Sequence, residues 1–339
     1  MRQGTPKMYT EIVDNKLIAH NYGHGGSGWT LGPGAVKYVI DLLDQQMQAQ
    51  KLAKNTPITI VGAGAIGLFS ALELLQQGYQ NITIVAESFD NLTSHNAGGL
   101  LAPVSMDNDP ELQKLIDQIG IDAYIFYKNV ALGKNKLIPN GAVIVPTYFE
   151  NREDSGLEAY VGQVMQPAKD VILDFQNGTT RRMVAYDDGI FMDTGSLMTS
   201  LYNAVADQVT FKKKKIHNFN EIPDQVIVNC TGNGAKDLAK DDKMIPVQGH
   251  LIMLKDQEPA DLQHMILVYF GKGKTKTGFN VKRSFYMFPK KLVGSPAKDV
   301  GVIGGTFIEG ADEKTPNNDE YEIMLNGAKQ FYGLASTKQ

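Results

Sequence analysis

Short apolar runs rich in β-branched residues alternate along this chain with segments of helical periodicity. Runs at 57–61, 82–86 and 226–229 predict buried strands, and apolar positions three and four residues apart predict helices over 33–50 and 68–77. Further helices are predicted over 110–132 and 321–332. Strands over 138–146 and 171–175 begin a sheet-rich second region. Runs at 247–254, 265–270, 284–289 and 300–307 alternate or stay apolar and predict an antiparallel sheet. The mixture predicts an α/β protein with a second, sheet-rich region.

One stretch has the form of a phosphate-binding turn. The strand that ends at Val61 runs into Gly62-Ala63-Gly64-Ala65-Ile66-Gly67, and a helical pattern follows directly. In such a G-x-G-x-x-G turn the first glycine permits the reversal, the second lets the backbone approach a pyrophosphate, and the third packs the helix on the strand. Glu87 ends the next apolar run, where a carboxylate that binds a ribose hydroxyl is expected. The stretch predicts an adenine dinucleotide and leaves nicotinamide and flavin both open.

Two other segments are rich in glycine and polar residues. Residues 20–30 read H-N-Y-G-H-G-G-S-G-W-T and precede the helix that we expect to begin near Pro33. The glycines let backbone N–H groups turn toward one point, and the helix N-terminus adds positive potential, so we favour a cradle for an electronegative ligand over a flexible loop. The segment 231–234, T-G-N-G, follows a predicted strand of the nucleotide-binding region at the same sheet edge as the first turn.

Composition and charge exclude several classes of protein. The chain has 339 residues, enough for two domains, and a net charge of −4, so no general nucleic-acid surface is expected. The basic run 212–215 fits a solvated strand end. A single cysteine, Cys230, lies in an apolar run and predicts a buried thiol rather than a nucleophile. No apolar segment reaches the roughly 18–20 residues that span a bilayer, and no secretory signal is visible. We therefore expect a cytoplasmic protein without a membrane partner.

Several stretches together resemble the D-amino-acid oxidase family of flavoproteins. They are I-V-G-A-G-A-I-G-L (60–68), N-L-T-S-H-N-A-G-G-L-L-A-P (91–103), Y-D-D-G-I-F-M-D-T (186–194), V-I-V-N-C-T-G (226–232), P-V-Q-G-H-L-I-M (246–253), F-Y-M-F-P-K (285–290) and V-I-G-G-T-F (302–307). The most specific part is the segment 20–30, which is similar to the family's flavin-ring signature. In the family that signature lies near the C-terminus, whereas here it comes first, so the chain looks circularly permuted relative to the family.

The resemblance implies a Rossmann-like FAD-binding domain and an antiparallel-sheet substrate domain, both discontinuous in sequence. We expect residues 1–105, 190–243 and 322–339 to form the first domain, and residues 106–189 and 244–321 the second. The expected FAD contacts are Gly62, Gly64, Ala65, Ile66, Gly67 and Glu87 at the ADP half, Thr93, Ser94, Gly98, Gly99 and Leu100 at the phosphates and the isoalloxazine, Thr231 and Gly232 at the sheet edge, and Gly25, Gly26, Ser27, Gly28, Trp29 and Thr30 at the pyrimidine edge.

The resemblance is incomplete at the substrate carboxylate. The family has a G-x-R-P-x-R strand before its flavin-ring signature, and the first arginine of that strand holds the carboxylate. That arginine has no counterpart here, and Arg2 matches at best the second one. Tyr286 matches one of the family's two substrate-pocket tyrosines, and Lys282 stands where the other would be. The resemblance implies that Tyr286 contacts the carboxylate and that the Gly26 carbonyl takes the amine, with Arg2 and Lys282 as candidate positive partners.

The implied reaction is hydride transfer from the substrate α-carbon to flavin N5, giving an imine that hydrolyses, with dioxygen reoxidising the flavin to release peroxide. The expected substrate is a D-amino acid or a related small amine. Such chemistry depends on positioning and electrostatics, which fits a sequence without an obvious nucleophile–base pair or metal-ligand cluster. Two alternatives stay open: a flavin-binding protein without amino-acid oxidase turnover, and a nicotinamide-dependent dehydrogenase. The oligomeric state is also open.

Overall fold

The computed structural model describes residues 1–103, 110–257, 263–289, 301–312 and 314–334. The described strands are β1 (Lys7–Val13), β2 (Lys16–Tyr22), β3 (Ile58–Val61), β4 (Ile82–Ala86), β5 (Ala142–Ile144), β6 (Thr147–Phe149), β7 (Lys169–Asp174), β8 (Thr180–Tyr186), β9 (Ile190–Met192), β10 (Thr210–Lys213), β11 (Val226–Asn229), β12 (Val247–Gln248), β13 (Leu251–Leu254), β14 (Met265–Lys274), β15 (Asn280–Pro289) and β16 (Gly301–Glu309). The helices are α1 (Gly28–Ala49), α2 (Ala65–Gln76), α3 (Pro110–Ala131), α4 (Thr194–Val205), α5 (Ala235–Leu238) and α6 (Asp319–Phe331). None of the helices in these parts of the chain has the length and apolar character needed to cross a bilayer.

The chain divides into two compact units. The first unit contains Met1–Ala97, Leu101–Ala142 and Thr194–Ile245, and the second contains Gly98–Leu100, Val143–Asp193 and Pro246–Gln339. Each unit is built from several separate stretches of sequence. The predicted α/β fold class is confirmed.

The first unit is built on a six-stranded sheet in the order β1-β2-β11-β3-β4-β10. From β2 to β10 the neighbouring strands are parallel, and only β1 pairs antiparallel, with β2. Strands β3 and β11 are buried along their whole length, as their mainly apolar, β-branched runs predict. The carboxyl ends of β2, β11, β3 and β4 therefore meet at one edge of the sheet, where a doubly wound fold binds its ligand.

The strands β1 and β2 form a hairpin that we did not predict. Val13 pairs with Lys16, so the turn has only two residues, Asp14 and Asn15. Both have positive φ angles, 49° and 62°, as a type I′ turn requires. An Asp-Asn pair between two strand-like runs is a local hairpin signal. On its other side β2 pairs in parallel with β11.

The helix α1 begins at Gly28, five residues before the predicted start at Pro33. The predicted apolar face is confirmed, because Val36, Val39, Ile40 and Leu43 are all buried. Pro33 lies inside the helix and has no N–H for the carbonyl of Trp29, four residues earlier. The hydroxyl of Tyr127 on α3 donates to that carbonyl instead, at 2.7 Å. A neighbouring helix thus replaces the hydrogen bond that the proline removes.

The second unit contains an eight-stranded sheet in the order β12-β16-β15-β14-β6-β8-β7, with β13 also paired to β16. Its pairs are antiparallel, as predicted, except that β14 runs parallel to β6. Strands β14 and β15 are longer than the predicted runs 265–270 and 284–289, because they stay paired as far as Lys274 and from Asn280. The last strand begins at Gly301 in the described residues, and Val300, its predicted first residue, lies outside them.

Two helices lie in units other than the predicted domains. The helix α3, expected in the substrate domain, belongs to the first unit and packs along α1. The two helices approach closely at Gly34, where a Cβ would lie 2.1 Å from the Ile119 carbonyl oxygen. The helix α6, expected with the nucleotide-binding strands, packs on β15 and β16, and its Phe331 joins the core of the second unit with Phe285. The segments 98–100 and 190–193 likewise belong to the second unit.

Candidate functional site

The glycine turn connects β3 to α2 in the first unit. Gly62 has a φ of 109°, and a Cβ there would lie 2.4 Å from the carbonyl oxygen of Cys230. A Cβ on Gly67 would lie 2.0 Å from the carbonyl oxygen of Gly62. These two glycines are therefore needed for packing. Gly64 differs, because a Cβ there would meet only Ser94 Oγ, at 3.1 Å, so its backbone faces open space in which a ligand can approach.

The N-terminus of α2 faces the segment that contains Ser94. The N–H of Ala65 donates to Ser94 Oγ at 3.0 Å, and the indole N–H of Trp29 donates to the Ser94 carbonyl at 3.0 Å. The next residue, Ile66, accepts a bond from Ser70 through its carbonyl, and Thr93 is exposed beside Ser94. A helix N-terminus with a hydroxyl beside it is suited to hold an anionic group.

A hydrogen-bonded chain reaches the sheet edge at Thr231. Glu11 Oε1 lies 2.9 Å from His20 Nε2, and His20 Nδ1 lies 3.1 Å from Asn229 Nδ2. Asn229 Oδ1 then accepts bonds from the Thr231 hydroxyl at 2.7 Å and from its N–H at 3.3 Å. Gly232 follows with a φ of 55° and no atom within 4 Å of where a Cβ would be. The sequence did not reveal the partner Glu11, because the β1–β2 hairpin that brings it to His20 was missed.

The predicted ribose ligand, Glu87, follows β4 at the same edge of the sheet. Its side chain is 67 % exposed and forms an ion pair with Lys215, 3.2 Å apart. Exposed pairs of this kind stabilise a protein by about 1 kcal/mol or less. The pair therefore leaves Glu87 able to exchange its partner for a ribose hydroxyl.

The glycine signature at 25–30 has two parts with different roles. Gly25, Gly26 and Ser27 form a short 3-10 turn in which Gly26 is exposed and Ser27 is buried. Gly28, Trp29 and Thr30 form the first turn of α1. The Thr30 hydroxyl donates to the Ala102 carbonyl at 3.0 Å and lies 3.2 Å from the Ala102 N–H. The polar side-chain atoms of Trp29 and Thr30, expected at the ring, thus bind the backbone of residues 94 and 102.

Two buried polar atoms precede this turn without a hydrogen-bond partner in the described residues. They are Asn21 Nδ2 and His24 Nδ1. The other nitrogen of His24, Nε2, lies 2.8 Å from Asn21 Oδ1, so it donates and Nδ1 is left as an acceptor. Burial lowers the pKa of His24 to about 4, so the ring is neutral at pH 7. The signature therefore carries one donor and one acceptor for a polar ligand.

Arg2 is already ion-paired, which differs from the open carboxylate partner that the sequence suggested. Its Nε lies 2.7 Å from Asp241 Oδ2, and its Nη1 donates to the Thr5 carbonyl at 2.5 Å. Tyr22 also donates to Asp241, at 3.0 Å. Burial alone would raise the pKa of Asp241, but the hydrogen bonds from Arg2 and Tyr22 bring it below its ordinary value. The arginine charge is thus compensated by a buried carboxylate.

In the second unit, Tyr286 lies close to Gly98. Its hydroxyl is 3.8 Å from the position that a Cβ on Gly98 would take, and the Phe288 ring is 3.3 Å from the same position. The two rings stack with centroids 4.5 Å apart. Gly304 lies against the Tyr286 ring so closely that a Cβ on it would be 2.0 Å from the ring. Burial raises the pKa of Tyr286, so its hydroxyl stays a donor.

The residues next to Gly98 are fixed by β9. Gly99 has a φ of 100°, and its carbonyl accepts a bond from the Met192 N–H at 2.6 Å. Leu100 forms an isolated β-bridge with Phe191. Lys282, on the same strand as Tyr286, is half exposed and lies 3.7 Å from Glu309. This exposed pair is longer than the pair between Lys215 and Glu87, so it leaves Lys282 able to exchange its partner, and Lys282 stays a candidate positive partner.

Comparison with known proteins decides the family. The family model described as FAD dependent oxidoreductase (DAO) matches residues 57–337. The chain belongs to this family. A D-amino-acid oxidase from Dictyostelium discoideum is 25 % identical over 210 residues, which are 59 % of this chain and 57 % of that protein. The match thus spans less than two thirds of the relative, and residues 1–56 lie outside the family match.

Solved structures share the fold. Glycine oxidase from Bacillus cereus matches with a TM-score of 0.57 at 15 % identity, over 81 % of this chain and 77 % of that one. Iminodiacetate oxidase from Chelativorans sp. BNC1 matches with a TM-score of 0.56 at 14 % identity, over 81 % and 79 % of the two chains. At these identities the likeness is one of fold.

The residues of the first unit of this FAD-dependent oxidoreductase fit the ADP half of FAD. Gly64 leaves the backbone open in front of the N-terminus of α2, and Ser94 Oγ lies beside the first N–H. Glu87 and Thr231 lie at the same carboxyl edge. The unpartnered atoms of Asn21 and His24 fit a ring edge with both donors and acceptors. The flavin prediction is confirmed by the family, and the nicotinamide alternative is set aside.

Proposed function

We propose that this FAD-dependent oxidoreductase oxidises D-amino acids or related small amines and passes the electrons to dioxygen, which becomes peroxide. FAD supplies the hydride acceptor. The substrate loses a hydride from its α-carbon and a proton from its amine, and the resulting imine takes up water and releases ammonia. The D-amino-acid oxidase relative supports this substrate class.

The observation that carries the proposal is the position of Tyr286 beside Gly98. Gly98 is the residue that the resemblance assigns to the flavin, and Tyr286 is the one it assigns to the substrate carboxylate. The tyrosine ring is fixed between Phe288 and Gly304, and its buried hydroxyl stays protonated. A fixed neutral donor can bind a carboxylate without the entropy cost of a flexible side chain.

The roles proposed for the remaining residues follow the same division. Gly62, Gly64, Ala65, Ile66, Gly67 and Glu87 hold the ADP half, and Thr93, Ser94, Thr231 and Gly232 hold the phosphates. Gly25, Gly26, Ser27 and Gly28 present backbone groups to the ring. Gly98, Gly99 and Leu100 are the further residues that the resemblance assigns to FAD. Trp29 and Thr30 act by holding the backbone of the 94–102 segment.

We further propose that the chain is a circular permutant of its family. The strand β2, which leads into the glycine signature, lies beside and parallel to β11, and α1 leads from that signature toward β3 through residues 50–57. A rearranged chain with residues 1–56 moved behind residue 339 on a Gly/Ser linker should bind FAD with the same visible spectrum. A rearranged chain that folds but does not bind FAD would contradict the permutation.

A second candidate function is FAD binding without amino-acid oxidase turnover. It is favoured by the charge of Arg2, which the buried Asp241 already compensates. One experiment distinguishes the two candidate functions. The yellow protein is mixed anaerobically with a panel of D-amino acids and amines. Bleaching by one member, followed by peroxide release on admission of air, supports the oxidase. Persistent yellow colour with every member supports the second candidate, and a protein that takes up no FAD contradicts both.

A further inference from the structure

The sheet of the second unit opens on one side of β6. This strand has only three residues, and it pairs with Met265–Leu267 of β14 and with Val184–Tyr186 of β8. Beyond Phe149, β14 continues from Val268 and β8 extends back to Thr180, and no described strand pairs between them. The sheet therefore splits at this point and leaves a gap between two strand edges.

The gap holds a cavity of about 790 Å³, closed on one side by α6. This volume lies within the range of small-molecule sites, roughly 300–1,000 Å³. Met183, Val268 and Phe331 give it an apolar floor. The rings of Tyr269 and Phe270 form a wall, and each is 42 % exposed. The cavity thus offers apolar and aromatic surface to a flat molecule.

Arginines surround this apolar surface. Arg283 is compensated, because Nε and Nη2 each lie 2.7 Å from a carboxylate oxygen of Glu320. Among the residues that the structure describes, Arg181 donates only to the carbonyls of Thr180 and Gln330, and its guanidinium lies over the Phe331 ring. Arg182 is exposed and has no ion pair within the described part of the chain. Against these two charges stands one carboxylate on the cavity wall, Glu150.

The cavity is separate from the proposed substrate position. Phe285 and Met287 point into the core that contains Phe331 of α6, whereas Phe288 belongs to a different cluster, against which Tyr286 packs. Successive strand residues face opposite sides of a sheet. The cavity therefore lies on the face of β15 away from Tyr286.

We propose that this cavity binds a small ligand in which an oxyanion group is attached to a flat apolar body. Arg181, whose guanidinium lies over the Phe331 ring, binds the oxyanion, because a guanidinium fork matches the oxygens of a carboxylate or a phosphate. Arg182, the next residue of β8, adds positive charge at the cavity wall. Tyr269, Phe270 and Phe331 cover the apolar part. Carboxylate and phosphate share this chemistry, so the two sources are separated by experiment.

The test is calorimetric titration of the full chain with 2-naphthoate, 1-naphthyl phosphate and the neutral 2-naphthalenemethanol. We expect one or both anions to bind, and the neutral compound to bind at least roughly tenfold more weakly, which corresponds to about 1.4 kcal/mol. The anion with the higher affinity shows whether the site prefers a carboxylate or a phosphate. Equal binding of the neutral compound, or no binding of either anion, would overturn the proposal.

Variants assign the binding to the cavity. The double variant Arg181→Gln with Arg182→Gln should lower the affinity for the anion at least tenfold. Arg182→Gln alone should lower that affinity less. The pair Lys272→Gln with Lys274→Gln removes the same charge from β14 outside the cavity and should leave binding unchanged. Tyr286→Phe should leave the effect of the arginine pair unchanged, because Tyr286 belongs to the proposed substrate position on the other face of β15. An equal loss in the lysine pair, or an anion affinity that does not respond to the arginine pair, would contradict the cavity as the site.

A change of shape gives an independent test. A Cβ on Gly327 of α6 would lie 2.3 Å from the Phe270 ring, so Gly327→Ala must displace that wall of the cavity. Alanine favours the helix itself by about 1 kcal/mol, so the fold should be kept. We expect weaker anion binding without loss of charge, and unchanged binding would contradict the role of Phe270.

Discussion

His20 Nδ1 accepts a hydrogen bond from the Asn229 side-chain amide, 3.1 Å away, between the adjacent parallel strands β2 and β11. The orientation of that amide is fixed because Asn229 Oδ1 accepts from the Thr231 hydroxyl. His20 must then carry its proton on Nε2, where it donates to Glu11. Burial lowers the pKa of His20 although Glu11 opposes this, so the ring is held neutral with a defined tautomer.

Removal of the His20 ring should cost more stability than removal of the Glu11 charge. In His20→Leu the buried Asn229 amide loses its acceptor, which lowers the free energy of unfolding by about 1–3 kcal/mol. Glu11→Gln keeps an oxygen for His20 Nε2 and should cost less than about 1 kcal/mol. Urea unfolding at pH 7 measures both. Equal losses would show that the ion pair, rather than the tautomer, stabilises the strand pair.

The hydrogen bond from Tyr127 to the Trp29 carbonyl can be tested against the proline that makes it necessary. Tyr127→Phe leaves that buried carbonyl unpaired and should lower the free energy of unfolding by about 1–3 kcal/mol. Pro33→Ala supplies the missing N–H, so Tyr127→Phe should cost much less in that background. Tyr202→Phe, at an exposed tyrosine of α4, is the control. If the losses in unfolding free energy of the two single variants add up in the double variant, the Tyr127 hydroxyl does not replace the N–H that Pro33 lacks.

Features with a local sequence signal could be predicted, and contacts between distant residues could not. The glycine turn at 62–67 and the strand β11 followed from local patterns, because turn geometry and burial impose residue types at fixed spacing. The β1–β2 hairpin also had a local signal at Asp14-Asn15, which we did not use. The contact between Tyr127 and Trp29 joins residues 98 positions apart, and the pairing of Arg2 with Asp241 joins residues 239 apart. No local pattern encodes such pairs, since packing alone determines them.

Protonation of His24 should destabilise the protein in acid. Its folded pKa is about 4, below the ordinary value of 6.5, so the unfolded chain binds the proton more readily. The contribution to stability is complete above pH 6.5 and falls by roughly 3 kcal/mol as the pH drops to 4. We expect a smaller loss of unfolding free energy between pH 7 and 4 in His24→Gln than in the unmodified protein. An identical slope in His24→Gln and in the unmodified protein would contradict the assignment.

Tyr286→Phe should affect turnover and leave FAD binding intact. A hydrogen bond to a charged group contributes about 1.5–3 kcal/mol, so kcat/KM for the best D-amino acid should fall roughly tenfold to a hundredfold. The visible spectrum of the bound flavin should not change. Tyr321→Phe, an exposed tyrosine of α6, should behave like the unmodified protein. An unchanged kcat/KM in Tyr286→Phe would remove this residue from the substrate site.

The glycines of the turn should separate into one that contacts FAD and one that holds the fold. A Cβ on Gly64 meets only the Ser94 hydroxyl, and the φ of −71° suits any residue. The apoprotein of Gly64→Ala should therefore keep its unfolding midpoint. Its affinity for FAD should fall at least roughly tenfold, because the added methyl group occupies the space through which the pyrophosphate approaches the backbone. Gly67→Ala would force a Cβ to within 2.0 Å of the Gly62 carbonyl and should lower the free energy of unfolding by about 1–3 kcal/mol. Thermal melts of the apoproteins and FAD titration separate the two effects. A Gly64→Ala protein with full FAD affinity would contradict phosphate binding at this turn.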